Sequence, residues 1–272
     1  MTKHEQAKNF SRRTLLKAGG ALVVSIGAPV TFDTAHAADS ATAVAAKPPL
    51  MPDQLSSYIT VNADGTVSAY FGKMDMGQGL SVAIKQMIAE ELDVPYANMK
   101  IFIGDTDTSL NQGGASGSTG VQEGGKQMRM AAAEARRVLV DMAAEKLGVP
   151  AGQLTVKDGV VSATGDASKK TSYADLIGGK FFNVHLDWNG KYGNPLYAPG
   201  KAKPKDPKDY TIVGKPIPRD DIAGKVFAQA DFAMDIKVPG MVHGRMIRPA
   251  IAGAVPVKVD ESSIKGIQGA RV

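Results

Sequence analysis

The segment Lys126–Leu147 constrains the fold more than any other, because its apolar residues recur at helical spacing. Gly148 and Pro150 follow it, and both residue types are typical of a helix end. The inner face of the predicted helix consists of Ala131, Ala135, Val138, Leu139, Met142 and Leu147. Such a helix needs a partner surface, and a chain of 272 residues that is 43% hydrophobic can provide one or two cores of ordinary size.

Shorter elements surround this helix. Alternating apolar residues with Gly-containing turns predict two β-hairpins, the second turning at Asp158-Gly159. Ser81 is the candidate N-cap of an amphipathic helix that precedes the long one. The predicted elements are a hairpin at 58–71, a helix at 81–92, a strand at 99–104, a hairpin at 154–164 and a short capped helix at 171–179. The sequence therefore predicts an α+β fold of hairpins and amphipathic helices.

The N-terminal residues 1–37 predict an export signal. Arg12 and Arg13 precede a short apolar run, and Ala35-His36-Ala37 matches a small-x-small cleavage site. The arginine pair resembles the twin-arginine signal, which exports folded proteins, so we expect a periplasmic protein. An ordinary Sec signal and an uncleaved membrane anchor are the alternatives. Residues 38–56 are small, polar and Pro-containing, and they predict a flexible lead-in.

Composition argues against several kinds of site. The formal net charge is +5, but no basic stripe with interleaved aromatic residues occurs, so a nucleic-acid partner is not expected. The sequence contains no cysteine, and therefore no disulfide and no thiolate ligand for zinc or an iron–sulfur cluster. Outside residues 1–37 the histidines are His185 and His243, which lie far apart and are interpreted as structural. No metal site made of protein ligands is predicted.

Two loops of small residues precede the two main helices. The first contains Gly77-Gln78-Gly79, where glycine permits close approach to a ligand and Gln78 can both donate and accept hydrogen bonds. Free amides at the start of the following helix favour anions. The second loop, residues 113–120, offers amides and hydroxyls of the kind that surround a phosphate. It lacks the P-loop lysine, and no dinucleotide fingerprint follows a strand. Taken alone, the first loop is more simply explained as a tight turn into a helix, and the second is equally compatible with a flexible polar loop that binds no ligand.

The order of these features resembles the molybdopterin-binding large subunit of the molybdenum hydroxylases, the xanthine dehydrogenase and aldehyde oxidoreductase superfamily. The resemblance rests on the Met-Gly-Gln-Gly loop, a helix ending in Ala-Glu-Glu-Leu, the Asp-Thr-Asp-Thr stretch at 105–108, and the Ser/Gly loop before the long helix. It covers roughly residues 57–272, with 181–209 unmatched. The export signal and the domain order resemble the branch that includes isoquinoline 1-oxidoreductase and nicotinate dehydrogenase large subunits.

This resemblance implies a domain order. Residues 57–180 would form part of the molybdopterin-binding domain, and residues 210–272 would begin an α/β hammerhead domain that is cut short. Between them, the residues 181–209 include a stretch rich in Pro, Gly and Lys, which predicts a linker. The chain is thus expected to be the first third of a longer enzyme, or a natural fragment that is inactive by itself.

The resemblance also implies a cofactor, a reaction and partners. The cofactor is molybdopterin cytosine dinucleotide, and the reaction is hydroxylation of an N-heterocycle or aldehyde C–H with oxygen from water. Electrons would pass to an iron–sulfur small subunit and then to a cytochrome c. The residues implied to contact the pterin and its phosphates are Met76, Gly77, Gln78, Gly79, Ala115, Ser116, Gly117 and Ser118. The family's catalytic glutamate has no match, and Glu90, Glu91 and Glu123 are not assigned that role.

Two other functions are compatible with parts of the sequence. A non-catalytic periplasmic binding or interaction module would contain no molybdenum. An exported nucleotide-binding enzyme of another class is disfavoured, because the P-loop lysine and the dinucleotide fingerprint are both missing. The charged residues Arg219, Asp220, Lys225 and Arg248 are interpreted as surface and turn residues.

Overall fold

The computed structural model describes residues 48–272. The predicted signal peptide and the first part of the predicted lead-in, residues 38–47, lie outside the described residues. The chain divides into a first unit that ends at Val213 and a second that begins at Gly214. Among the described residues, no helix combines the length and the apolar character that crossing a bilayer requires.

The first sheet has three strands, β1 (Ile59–Val61), β2 (Val67–Phe71) and β3 (Met99–Ile103). β1 and β2 form the predicted antiparallel hairpin, and β3 lies parallel to β2. Parallel neighbours require a crossover connection, which α1 (Leu80–Leu92) provides. Since β2 and β3 run in the same direction, the segments that follow them leave the sheet at the same edge.

The long helix α2 (Lys126–Leu147) has the predicted bounds. A π-helical turn, Gly120–Gly125, precedes it without a break, and Gly148 ends it in the left-handed conformation with φ 64°. Of the predicted inner face, Ala131, Ala135 and Leu139 are buried, and the remaining three residues are partly buried against the same core. α2 packs against α1, so both predicted amphipathic helices contribute to one hydrophobic core.

A second sheet contains β4 (Leu154–Lys157), β5 (Val160–Ala163) and β6 (Asp166–Ser172), and α3 (Tyr173–Ile177) follows it. The predicted turn between β4 and β5 is confirmed, since Asp158 and Gly159 both have positive φ, as a type I′ turn requires. Ser172 caps α3 through reciprocal hydrogen bonds with Asp175. β6 was not predicted, because most of its side chains are exposed and polar and show no alternation.

Residues 181–209, predicted to be a linker, instead belong to the first unit and pack against the rest of it. Phe182, Leu186, Leu196 and Ala198 are buried in its core. We call residues 181–213 the strap. Part of the predicted flexible lead-in also packs, because Leu55 is buried and its N–H donates to the carbonyl of Val184 at 3.1 Å. Pro and Gly disfavour long helices and strands here, where the segment contains the 3-10 turn Pro207–Asp209, but such a composition does not exclude burial.

Buried carboxylates of α1 and α2 hold the strap. Glu90 accepts hydrogen bonds from the N–H groups of three consecutive residues, Thr211, Ile212 and Val213, at 2.8, 2.6 and 2.9 Å. Glu91 accepts from the N–H of Lys205. Glu134 accepts from those of Lys201 and Ala202. These carboxylates accept hydrogen bonds from strap N–H groups that in a helix or a sheet would donate to backbone carbonyls.

In the second unit, the described residues 214–272 form one short helix, α4 (Ile222–Val226), a 3-10 turn and no strand. Its large apolar side chains are mostly exposed, and the exposed fraction of Val257 is 99%. The predicted start of a hammerhead domain is therefore not confirmed. A strand needs a hydrogen-bonded neighbour, so a suitable pattern of residues is not sufficient for a sheet. Arg219 and Lys225 both form ion pairs with Asp221, in line with their interpretation as surface and turn residues.

Candidate functional site

The structure brings the two predicted loops, residues 74–79 and 113–119, next to each other. Leu80, at the start of α1, packs against Gly120, where an added Cβ would lie 2.6 Å from Cδ2 of Leu80. The Nζ of Lys73 donates to the carbonyl of Gly114 at 2.9 Å. The two groups of implied cofactor-binding residues therefore lie side by side, although they are separated in the sequence by β3.

The first loop is exposed and is shaped by the side chain of Gln78. The exposed fraction of Met76 is 71%, and Gly77 and Gln78 are exposed as well. Oε1 of Gln78 accepts from the N–H of Met76 at 2.6 Å, and Nε2 donates to the carbonyl of Met74 at 3.4 Å. A carboxamide has two donors and two lone pairs, so half of its hydrogen-bonding capacity is still available.

Asp75, rather than Ser81, caps α1. The N-cap residue is Gly79, with φ 85° and no side-chain capping bond. One oxygen of Asp75 accepts from the N–H groups of Gly77 and Gly79 at 2.9 and 3.1 Å, and the other accepts from Ser81 at 3.1 Å. A carboxylate in this position satisfies free amides and interacts favourably with the helix dipole. The start of α1 is thus not the open anion site that the sequence predicts, because an internal carboxylate already binds these amides.

The second loop presents different donors. Ser116, Gly117 and Ser118 are exposed and form a 3-10 turn that leads into the π turn and α2. Thr119 stabilises the loop, since its hydroxyl lies 2.9 Å from the carbonyl oxygens of both Gly114 and Ser116. The hydroxyls of Ser116 and Ser118 bond to no other described residue. They are therefore available to a ligand at the N-terminus of a long helical segment, where anions are favoured.

A buried polar network beneath the loops was not predicted. Gln112 accepts from the N–H of Gly72 at 2.7 Å and donates to Oε1 of Gln127 at 2.8 Å. Gln127 in turn donates to the carbonyl of Leu196 in the strap at 3.0 Å. The network connects the end of β2, the second loop, α2 and the strap. Its one sequence signal is that Gln127 lies four residues before Ala131, on the face of α2 that is otherwise apolar.

Lys73 is a third buried polar residue that was not predicted. Its exposed fraction is 0%, and Nζ donates to the carbonyl of Gly114 and to Oδ1 of Asn194 in the strap. Burial lowers the pKa of Lys73, and the carboxylate of Glu123 offsets part of this effect. The second loop lacks the P-loop lysine in sequence, but the structure places the ammonium of Lys73 against the backbone of that loop.

Gly124 allows the π turn to approach the stem of Lys73. An added Cβ would lie 2.7 Å from the ring of Phe71 and 2.8 Å from Cδ of Lys73. We expect Gly124→Ala to lower the free energy of unfolding by about 1–3 kcal/mol, because the core must shift to accommodate the methyl group. Urea denaturation measures the difference. Gly152→Ala is the matched control, since its Cβ would meet no atom within 4 Å, and an equal effect of both substitutions would contradict the prediction.

The remaining candidate residues have structural roles or lie outside the site. Glu90 and Glu91 are buried and bind the strap, which agrees with their interpretation as structural. His185 is largely exposed, with Nδ1 3.4 Å from Oδ2 of Asp53. His243 is exposed in the second unit. None of these residues provides a general base beside the two loops.

Comparison with known proteins identifies the family. The sequence matches the family described as "Molybdopterin cofactor-binding domain" over residues 5–215. It is 36% identical over 230 residues to a nicotinate dehydrogenase chain of Pseudomonas putida, covering 82% of this chain and 18% of that protein. It is 27% identical over 288 residues to the β chain of isoquinoline 1-oxidoreductase of Brevundimonas diminuta, covering 96% and 36%. Quinoline 2-oxidoreductase from Pseudomonas putida 86 overlaps 43% of this chain and 15% of that chain, with 26% identity and a TM-score of 0.38.

The chain spans between 18% and 36% of the length of these two curated relatives. The family match includes both loops, both main helices and the strap, and it ends two residues into the second unit. It extends over more than half of the chain, and it agrees with the resemblance inferred from the order of loops and helices. The chain therefore belongs to the molybdopterin cofactor-binding domain family, and it is related to the large subunits of the molybdenum hydroxylases.

Proposed function

We propose that this chain holds the molybdenum cofactor, as molybdopterin cytosine dinucleotide, in the large subunit of an exported molybdenum hydroxylase. The observation that carries the proposal is the position of the exposed Ser116-Gly117-Ser118 turn. It lies beside the first loop and at the start of the helical segment that continues into α2. Unbonded hydroxyls together with helix amides suit the phosphates of such a ligand.

The donors of the two loops fit a ligand with two chemically different ends. Ser116 and Ser118 would bind phosphate oxygens. Gln78 would bind the edge of the pterin with its remaining donor and lone pair, and Met76 would cover the ring with an adaptable apolar side chain. When bound, the cofactor supplies the two-electron oxidation of a C–H bond with oxygen from water. The described residues would position the cofactor, and the family's catalytic glutamate has no match in this sequence.

The proposed substrate is an N-heterocycle or an aldehyde. Nicotinate and isoquinoline, which the names of the two relatives contain, are both N-heterocycles. These 272 residues contain no cysteine that could bind an iron–sulfur cluster, and we propose that electrons pass to an iron–sulfur small subunit and then to a cytochrome c. The Arg12-Arg13 pair supports export to the periplasm by the twin-arginine route.

The test is the metal and nucleotide content of the full-length natural protein purified from periplasm. Mass spectrometry measures molybdenum, and acid treatment releases CMP from the dinucleotide. We expect about one molybdenum and one CMP per chain, by the proposed stoichiometry. A folded, natively produced sample that contains neither would reject the proposal and favour the non-catalytic periplasmic binding module.

The second loop makes a specific prediction. We expect the double substitution of Ser116→Ala and Ser118→Ala to weaken cofactor retention by about 10–100-fold, because hydrogen bonds to a charged group are lost. The melting temperature without cofactor should not change, since both side chains are exposed and unbonded. Molybdenum content after extensive dialysis measures retention. Ser168→Ala, at an exposed serine of β6, is the control, and retention equal to that of the control would contradict the prediction.

A further inference from the structure

Lys73 carries a buried charge without an ion-pair partner among the described residues, although the carboxylate of Glu123 acts on it electrostatically from beyond ion-pair distance. Its ammonium bonds to two neutral acceptors, the carbonyl of Gly114 at 2.9 Å and Oδ1 of Asn194 at 2.5 Å. Among the described residues, no carboxylate lies within 4.0 Å of Nζ, and the exposed fraction of the residue is 0%. Burial of an ammonium is strongly unfavourable unless an opposite charge compensates it.

The same unit compensates its buried carboxylates. Glu91 pairs with Arg129 at 2.8 Å, and Glu134 pairs with Arg137 at 2.6 Å. Glu90 accepts three backbone N–H groups and lies 3.7 Å from Nζ of Lys205. Lys73 departs from this pattern within residues 48–213. A buried charge without such compensation indicates that a ligand of opposite charge binds nearby.

The position of Lys73 indicates which part of a ligand would compensate its positive charge. Its stem passes beneath Gly124 of the π turn, and its ammonium contacts the carbonyl of Gly114, the residue before the Ala115–Ser118 loop. The helical segment Gly120–Leu147 begins directly after the second loop, so its positive end lies next to that loop. The positive charge of Lys73 and the helix dipole both favour an anion at the second loop. At the first loop, the backbone N–H groups already donate to the carboxylate of Asp75.

We infer that Lys73 is a positioning residue which supplies, from beneath the second loop, the countercharge for the pyrophosphate-bearing part of the ligand bound there. Lys73 acts on the ligand electrostatically and through its hydrogen bond to Gly114, without contacting the ligand. It therefore supplies the positive charge of the missing P-loop lysine but not that residue's direct contact with phosphate. The inference rests on the proposed function for the identity of the ligand. Its physical content, a pyrophosphate site whose affinity depends on a buried cation, is separate from the presence of molybdenum.

The experiment uses the full-length protein produced without cofactor and inorganic pyrophosphate as the probe. Isothermal titration measures the affinity of the wild type, Lys73→Met, Lys73→Gln and Lys73→Arg. We expect at least about 10-fold weaker binding in the two neutral variants, as the loss of one partly buried charge pair implies, and substantial rescue by arginine. Lys100→Met removes one exposed lysine of β3 and should leave the affinity unchanged.

Equal affinity of the neutral variants and the wild type would overturn the inference, and so would a wild type that does not bind pyrophosphate. Should the variants fail to fold, selective ¹⁵N-lysine NMR on the wild type provides the second measurement, with sulfate as a probe that does not titrate at alkaline pH. Bound sulfate should raise the pKa of Lys73, and the facing carboxylate of Glu123 is the charged group to be considered in the fit. An unchanged pKa would overturn the inference. Pyrophosphate binding through Lys73, together with a natively produced protein that contains no molybdenum, would reject the proposed function alone.

Discussion

Glu90→Ala is expected to lower the free energy of unfolding by about 3 kcal/mol, one of the two largest effects predicted for this chain. The carboxylate is 1% exposed, and one of its oxygens accepts all three N–H groups of Thr211, Ile212 and Val213. Alanine would leave these donors without their acceptor and would open a space between α1 and the strap. The last residues of the strap should then detach before the core unfolds.

Urea denaturation of the full-length protein, followed by circular dichroism, measures this loss. Glu90→Gln keeps one acceptor oxygen without the charge, so its effect should lie between those of the wild type and alanine. Glu145→Ala is the control, because this glutamate is exposed near the end of α2. A loss in Glu90→Ala no greater than in the control would show that the strap does not depend on the carboxylate.

The same carboxylate should make stability depend on acid pH. Burial by itself raises the pKa of Glu90, but the N–H groups of Ile212, Val213 and Thr211, together with Lys205, more than offset it, so the pKa is lowered. A carboxyl whose pKa is lower in the folded state contributes its full stability above the unfolded pKa, about 4.3. That contribution is lost as the pH falls through the folded pKa. The melting temperature of the wild type should therefore fall more steeply below this pH than that of Glu90→Gln.

Local interactions explain which parts of the fold could be predicted. The hairpin at Asp158-Gly159 depends on two residues that tolerate positive φ, and α2 depends on spacing within the helix itself. Both signals are contained in short segments. The strap could not be predicted in this way, because its backbone donors bond to Glu90, Glu91 and Glu134, which are far away in the sequence. Composition identifies such a segment as irregular and gives no information about its partners.

The same distinction between local patterns and long-range contacts holds for the candidate site. The two loops were found because small residues before a helix are a local pattern. The interactions that shape them were not, since the sequence does not show that Asp75 turns back onto the start of α1 or that Lys73 reaches Gly114. Nor does it show that the strap contributes Asn194 to the site. The sequence shows which residues of this region are charged, but only the fold shows which groups they bond to.

Gln127→Met is the second substitution with a large expected effect. The amide of Gln127 joins Gln112 to the carbonyl of Leu196, and the side chain is almost fully buried. Methionine has a similar volume but no N–H donor, and its sulfur is only a weak acceptor, so the strap carbonyl loses its donor and Nε2 of Gln112 loses its strong acceptor in a buried environment. We expect the free energy of unfolding to fall by about 2–4 kcal/mol, because each unsatisfied buried group costs about 1–3 kcal/mol.

Gln127→Met should also make the first loop less ordered. Gln112 accepts a hydrogen bond from the N–H of Gly72 and thereby fixes the segment that leads into this loop. Cofactor retention in Gln127→Met should fall even under conditions in which the protein remains folded. Gln153→Met, at an exposed glutamine, is the matched control for both measurements. Combining Gln127→Met with Gln112→Met should cost less than the sum of the two single substitutions, since they remove the same hydrogen bond. Strict additivity would mean that the two glutamines act separately and that the strap is not coupled to the first loop through them.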